Sequence, residues 1–394
     1  MNKLKEEWAE VASLWKTPEI KAFWTITTLQ SLGTGWFFGT YTLFLLANGM
    51  SLFQATILNA IFMATDTIFN PYTGKLADKY GQKKLFLSGQ IFWFAGMLWY
   101  GLSGSFWGFA MAEMISALGA ALMSDALESW LRNNLPEEKV HRAMSHSGAF
   151  QALGIIPAAT LGGLIGAKWG LEWPWFVAAA TGVLVITATV KMLWKLPEVY
   201  KNGEEKVMGV LEVARQSFQN STLRTVALVT FGVSLCTQPF NMFWSPIMKE
   251  VSGQSWWLGS LWIGIALMAS FGSYWAKKQS NGMGVVRMVL IIGVPMMVAS
   301  ISKTTLPIVS MFLLHEFGRG AYRPILFTFA NRHISNSCRS TANSLMSSMK
   351  TMGSAVGLLM FGWMTTFMDP LQTWTVSALL LVLLAGWMWK RREI

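Results

Sequence analysis

Between two long apolar runs lies the stretch Gly74-Lys75-Leu76-Ala77-Asp78-Lys79-Tyr80-Gly81-Gln82-Lys83-Lys84. Charges crowd into it, whereas residues 51–76 and 84–103 on either side are mostly apolar. Each flank is about 20 residues or more, the length a helix needs to cross hydrocarbon. Lys79, Lys83 and Lys84 hold such a turn on the cytoplasmic face, and Gly81 permits it to be tight. Gly74 lets the two helices approach closely, and Asp78 is an anion placed where it can face a helix N-terminus. The stretch therefore reads as the cytoplasmic turn of a helical hairpin in a membrane.

The same pattern extends outward in both directions. Apolar segments long enough to span cover roughly residues 20–47, 51–76, 84–103, 106–131, 143–166, 172–194, 223–248, 254–276, 284–302, 305–331, 340–367 and 370–389. Short turns such as Asn48-Gly49 and Ser103-Gly104-Ser105 alternate with longer basic ones. Of the 31 Lys and Arg, only Lys168, Lys249 and Lys303 fall on the side of the short turns, while Arg319, Arg323 and Lys350 fall within spans. This bias places both termini in the cytoplasm and makes the number of spans even. The predicted fold is an all-α integral membrane protein of twelve transmembrane helices. Four regions follow: a cytoplasmic amphipathic segment over 1–19, a six-helix bundle over 20–194, a cytoplasmic linker over 195–222 and a second six-helix bundle over 223–394. Within the linker, Val207, Val210 or Leu211, Ala214 and Phe218 make the stripe of a surface helix.

Composition agrees. A soluble chain carries about a quarter charged residues, and here 13% are charged and 53% hydrophobic. The net charge of +11 comes in short bursts rather than as a basic domain, which points to anionic lipid headgroups and away from nucleic acid. At the N-terminus Leu4, Trp8, Val11 and Trp15 form one stripe of a charged, amphipathic segment, expected to lie on the membrane surface and not to serve as a cleaved signal. Cys236 and Cys338 lack metal or redox spacing and read as small buried residues. With no GxxxxGK[ST] in the sequence, the driving force is expected to be an ion gradient or the solute's own. There is no HExxH and no Ser/His/Asp spacing, and the four histidines are His141, His146, His315 and His333. No enzyme activity, metal or cofactor is expected.

The Gly74–Lys84 stretch resembles the 2–3 loop signature of the major facilitator superfamily, G-x-L-a-D-r-x-G-r-k-x, at nearly every position. The resemblance implies two pseudo-symmetric bundles that rock about a midplane site. A fainter second copy, Gly272-Ser273-Tyr274-Trp275-Ala276-Lys277-Lys278, fits an internal duplication. By the same resemblance, Asp78 faces the start of helix 11, here Arg339-Ser340-Thr341. An acid at the foot of helix 4, Asp125 or Glu128, then closes a cytoplasmic gate by pairing with Lys79 or Lys83. Gly154-Ile155-Ile156-Pro157 with Leu161-Gly162-Gly163 resembles the helix 5 signature of exporters that swap solute for protons. Ile115, however, stands where many proton-coupled drug exporters carry an arginine. The expected partners are a small-molecule solute, protons and membrane lipids, and the expected state is a monomer in the cell (inner or cytoplasmic) membrane.

Charges at membrane depth cost about 2.5–3.5 kcal/mol each on insertion scales, so each needs a reason. Asp66, flanked by Asn59 and Asn70, is either a proton carrier or a structural hydrogen-bond partner. Glu113 lies near the outer end of span 4, and Glu128 and Arg132 are spaced as an i,i+4 pair. Span 10 holds the densest cluster: His315, Arg319 and Arg323 share one face, with Glu316 a turn from Arg319, while Gly318 and Gly320 thin the helix and Pro324 weakens its ladder. Lys350 lies at similar depth in span 11. Glu316 is a protonation switch, or the arginines bind an anionic solute. Gln30, Trp36 and Tyr41 of span 1 and Gln238, Asn241 and Trp244 of span 7 stand near a central cavity, with Trp36 and Gln238 favoured. Gly33 and Gly35 should loosen span 1, and Pro239 and Pro246 should bend span 7.

The function these features predict is secondary active transport. Proton-coupled export of small amphipathic organic compounds comes first, with proton coupling assigned to Asp66 and Glu316. Uptake or exchange of an organic anion is the alternative. A reading of another class is a transporter-like membrane scaffold or receptor.

Overall fold

The computed structural model describes residues 2–199, 221–276, 282–333 and 339–390, and every regular element among them is an α-helix. The linker stretch 200–220, Lys277, Lys278 and Cys338 lie outside the described residues. The chain divides into two compact units. One holds Met1–Phe44 with Ile61–Glu204, the other Leu45–Ala60 with Glu205–Ile394.

In the first unit the N-terminal segment forms α1 (Asn2–Trp15). The first predicted span is not one helix. It divides into α2 (Pro18–Gly35) and α3 (Tyr41–Ala47), with Trp36–Thr40 between them outside regular helix, directly after the glycines expected to loosen it. Then come α4 (Leu52–Tyr80), whose start as far as Ala60 counts with the second unit, and α5 (Gln82–Leu102). The turn between them rests on Gly81, whose φ of 92° is a conformation that costs a residue with a Cβ. The fourth span is likewise interrupted, at Ser124 and Asp125, between α6 (Phe106–Met123) and α7 (Ala126–Asn134). Last are α8 (Glu137–Trp169) and α9 (Trp173–Leu193).

Helix α2 packs along α8 at backbone distance. A Cβ at Gly154 would strike the Thr28 carbonyl oxygen, and one at Gly162 the Trp36 carbonyl oxygen. Small residues give membrane helices this close van der Waals contact where no hydrophobic effect drives them together. At one end of the unit Trp24 is fully buried, stacks on Phe150 at 4.4 Å and donates its indole N–H to the Ala143 carbonyl at 2.9 Å. Both demands of a buried indole, apolar contact and a hydrogen-bond acceptor, are met.

The second unit contains α10 (Ser221–Cys236), α11 (Gln238–Ser252), α12 (Leu261–Ala276), α13 (Gly282–Ser300), α14 (Thr305–His333), α15 (Arg339–Met364) and α16 (Pro370–Lys390). Its first span breaks at Thr237, just ahead of Pro239, whose missing N–H suits the first turn of a new helix. Neither Pro246 nor Pro324 ends its helix. Trp374, fully buried, donates to the Pro239 carbonyl at 3.0 Å and plays the part of Trp24 in this unit.

Among the described residues, eight helical segments are long and apolar enough to cross a membrane. Helix α14 is long but carries the charged cluster, and α12 is apolar but shorter than those eight. Large apolar side chains face outward from both units, among them Leu102, Trp107, Leu184, Leu267 and Leu383. Such surface suits lipid and not water.

Candidate functional site

A cavity of about 380 Å³ opens in the second unit. Its walls come from α10 and its end (Thr230, Ser234, Thr237), from α14 (Arg319, Tyr322, Arg323) and from α15 (Ser347, Lys350). Apolar surface is supplied by Val233, Ile292, Leu326, Phe327 and Met346. That size and mixture are typical of sites for small molecules.

Three cations converge here. Arg319 Nη1 donates to Glu316 Oε1 and to Asn241 Oδ1, both at 2.8 Å. Glu316 is almost fully buried and is paired with Arg319 of its own helix. Arg323 and Lys350 are exposed, and neither has an acidic partner among the described residues. Arg319, Arg323 and Lys350 line the same cavity, where their like charges repel. His315, fully buried, donates from Nδ1 to the Ile292 carbonyl at 2.9 Å, which leaves Nε2 facing Glu316 at 3.9 Å. Phe240 and Phe312 pack on the imidazole at 4.8 and 5.9 Å. The close seat of α14 on α12 is made by Gly320, where a Cβ would collide with the Ala269 carbonyl. Arg319, Arg323 and Lys350 are thus brought together, with Asn241 joining them through Arg319.

The remaining cavity candidates are placed differently. Gln238 does not line this cavity; it is nearly buried and donates to Ser354 Oγ at 3.0 Å and the Ser234 carbonyl at 2.9 Å, tying α11 to α15. In the first unit Gln90 donates to Gln30 Oε1 at 3.0 Å. The Gln30 amide nitrogen and the Trp36 indole nitrogen are buried without acceptors among the described residues. Asp66 is half-buried on α4 with no ion-pair partner among the described residues, while Asn70 accepts from Ser124 at 3.3 Å.

Residues 23–358 match the sequence profile of the Major Facilitator Superfamily. The chain belongs to that superfamily. It is a multi-pass membrane protein of a transporter family. An uncharacterized MFS-type transporter of Bacillus subtilis (strain 168), YfiU, is 37% identical over 108 residues, 27% of this chain and 20% of that protein. Multidrug resistance protein 2 of the same organism is 25% identical over 136 residues, 34% of each chain. Each match thus spans well under two thirds of the relative's length. The crystal structure of a single-substitution mutant of the nucleoside transporter NupG superposes with a TM-score of 0.80 at 12% identity, covering 94% of this chain and 99% of that one. That likeness fixes the superfamily's all-helical fold.

Within the superfamily's loop signature, several residues act otherwise than expected. Lys83 is buried and makes no ion pair with Asp125 or Glu128 among the described residues. Its Nζ donates to the Leu196 carbonyl at 2.6 Å, and its backbone N–H to Glu198 Oε1 at 3.0 Å. Trp130 donates to the Pro197 carbonyl at 3.0 Å beside it. The stretch beyond α9 is therefore what this lysine holds. Lys79 lies over the Tyr80 ring at 5.0 Å, Asp78 is exposed, and the side chains of Arg339, Ser340 and Thr341 lie outside the described residues. A Cβ at Gly74 would meet nothing within 4 Å, so the close helix approach expected there is absent among the described residues. Asp125 sits at the N-terminal end of α7, and Arg132 pairs with Glu137 at 2.9 Å in place of Glu128, because the chain turns at Leu135 and brings the start of α8 within reach.

One buried cluster had gone unrecognised. Glu113, assigned no role from sequence, is 4% exposed and accepts hydrogen bonds from Tyr41 and Tyr100. Its three members come from α3, α5 and α6, too far apart in sequence for spacing to reveal them.

Proposed function

We propose that this chain is a secondary active transporter for a small organic anion, working by alternating access between its two units and driven by protons. The observation that carries this reading is the cavity wall of Arg319, Arg323 and Lys350, of which Arg319 is held by Glu316 while the other two have no acidic partner among the described residues. Mutually repelling cations without acidic partners are stabilised by a carboxylate or phosphate, to which Arg presents a planar fork. Glu316 is the proposed proton carrier of this site: protonated, it releases Arg319 to the solute; ionised, it reclaims Arg319. Asp66 is proposed as a second carrier. Twelve crossings, both termini in the cytoplasm and a cytoplasmic gate at the Gly74–Lys84 turn belong to the same proposal.

A second reading, proton-coupled export of amphipathic compounds, is supported by the similarity to Multidrug resistance protein 2 and by the apolar part of the cavity wall. Liposomes with a pH dye inside separate the two. Anionic compounds should elicit proton movement that Arg319→Ala abolishes. Proton movement elicited by cationic amphipaths alone would overturn the anion reading.

A further inference from the structure

The wall that α10 gives the cavity carries hydroxyls and no charge. Thr230, Ser234 and Thr237 are spaced i, i+4, i+7, which sets them on one face of α10 and its end, and Val233 lines the cavity beside them. Arg319, Arg323 and Lys350 stand on the walls from α14 and α15. Two of the three hydroxyls have already given their protons away. Thr230 Oγ1 donates to the Val226 carbonyl at 2.8 Å, and Thr237 Oγ1 to the Ser234 carbonyl at 3.2 Å. Such threonines have only lone pairs left to offer, so they accept hydrogen bonds and do not give them. Ser234 can do either.

Acceptors in a cavity select by what they would lose. An alkyl chain laid against these oxygens strips their water and returns no hydrogen bond, whereas a hydroxyl returns one. An ammonium donor fits badly, because Arg323 and Lys350 repel it and no acidic residue lines the cavity among the described residues. The donors on the solute must therefore be neutral. Resting on the anion reading, we propose that the solute is a polyhydroxylated organic anion, its acid group held by Arg323 and Lys350 and its hydroxyls by Thr230, Ser234 and Thr237. The cations supply affinity for charge, and the α10 face determines which anion is taken. A six-carbon hydroxy acid is small enough for a cavity of about 380 Å³. Val233, Leu326 and Met346 meet the C–H faces of its carbon chain.

Equilibrium binding to the purified full chain in detergent, at fixed ionic strength, tests this with two matched pairs of probes. One pair is gluconate against hexanoate, the other sorbitol 6-phosphate against hexyl phosphate. Only binding weakened by Arg323→Gln is counted, which removes partition into micelles. In the pair whose acid group binds, the hydroxylated member should bind at least about tenfold more tightly. Thr230→Val and Thr237→Val nearly keep the side chain's shape and remove its oxygen, so each should narrow that ratio by about two- to tenfold. Thr230→Ser and Thr237→Ser, which keep the oxygen, should keep the ratio. Each ratio is taken within one variant, so a general loss of stability does not imitate the result, and Ser234→Ala serves where a valine variant does not fold. Alkyl members that bind as tightly as their hydroxylated partners, or a ratio indifferent to these substitutions, overturn this proposal while the anion reading stands. Binding of none of the four overturns both.

Discussion

Arg319 and Glu316 stand one turn apart on α14 with Nη1 2.8 Å from Oε1, the acid almost fully buried and the arginine about a third exposed. Removing the arginine strands a buried charge, whereas amidating the acid keeps an acceptor for the guanidinium. Breaking a buried pair costs about 3–5 kcal/mol, and the exposure of Arg319 brings the expectation toward the lower end. Arg319→Ala should therefore lower the melting temperature in detergent more than Glu316→Gln does. In liposomes Glu316→Gln should still bind the anion but lose the ability of a pH gradient to drive its uphill movement. Equal pH-driven uptake by Glu316→Gln and the unsubstituted chain would remove Glu316 from the coupling scheme.

Arg323 and Lys350 line the same cavity without acidic partners among the described residues. A charge-assisted hydrogen bond contributes about 1.5–3 kcal/mol, so Arg323→Gln or Lys350→Gln should each weaken anion binding by about ten- to a hundredfold. Binding titrations in detergent read this, and relief of cation repulsion predicts that neither variant loses thermal stability.

The seam between α2 and α8 makes a sharper structural prediction. Gly162→Leu forces a side chain into the Trp36 backbone, whereas Gly148, on the same helix, has nothing within 4 Å of a Cβ. Overpacking of this kind costs about 1–3 kcal/mol or more. Gly162→Leu should reduce the melting temperature and the yield of monodisperse protein, with Gly148→Ala as a neutral control.

Lys83 closes on the Leu196 carbonyl and Glu198. Lys83→Ala leaves a carbonyl without its charged donor, a loss of about 1–3 kcal/mol. Limited trypsin digestion should cut after Lys195 faster in Lys83→Ala than in the unsubstituted chain. Asp125→Asn and Glu128→Gln should not reproduce that effect.

Much of the helical architecture was legible because membrane crossing imposes length and apolarity directly on sequence, and because basic residues mark the turns. The cluster around Arg319 was legible for a related reason: charges at that depth are anomalous, and i,i+4 spacing puts them on one face. What could not be read were relationships between distant segments. Lys83 was assigned by its neighbours in a motif, yet its partner is a backbone carbonyl 113 residues on, a group no side-chain pattern announces. Tyr41 resembled a cavity residue and Glu113 an end-of-helix acid until the fold brought both to Tyr100. The interruptions at Trp36–Thr40 and Thr237 were half visible, in the glycines and the proline beside them.

The cavity's uncompensated cations also have an electrical side. With Arg319 neutralised by Glu316, the empty cavity keeps the charges of Arg323 and Lys350. Each elementary charge moved through a membrane potential exchanges about 2.3 kcal/mol per 100 mV. An empty carrier returning across the membrane would then feel voltage in proportion to those two charges. A loaded carrier also holds the proton on Glu316 and so presents Arg319 as well; a monovalent anion would leave that sensitivity unchanged and a divalent one halve it, so current recorded with and without a solute would report the solute's valence before its chemical identity was known.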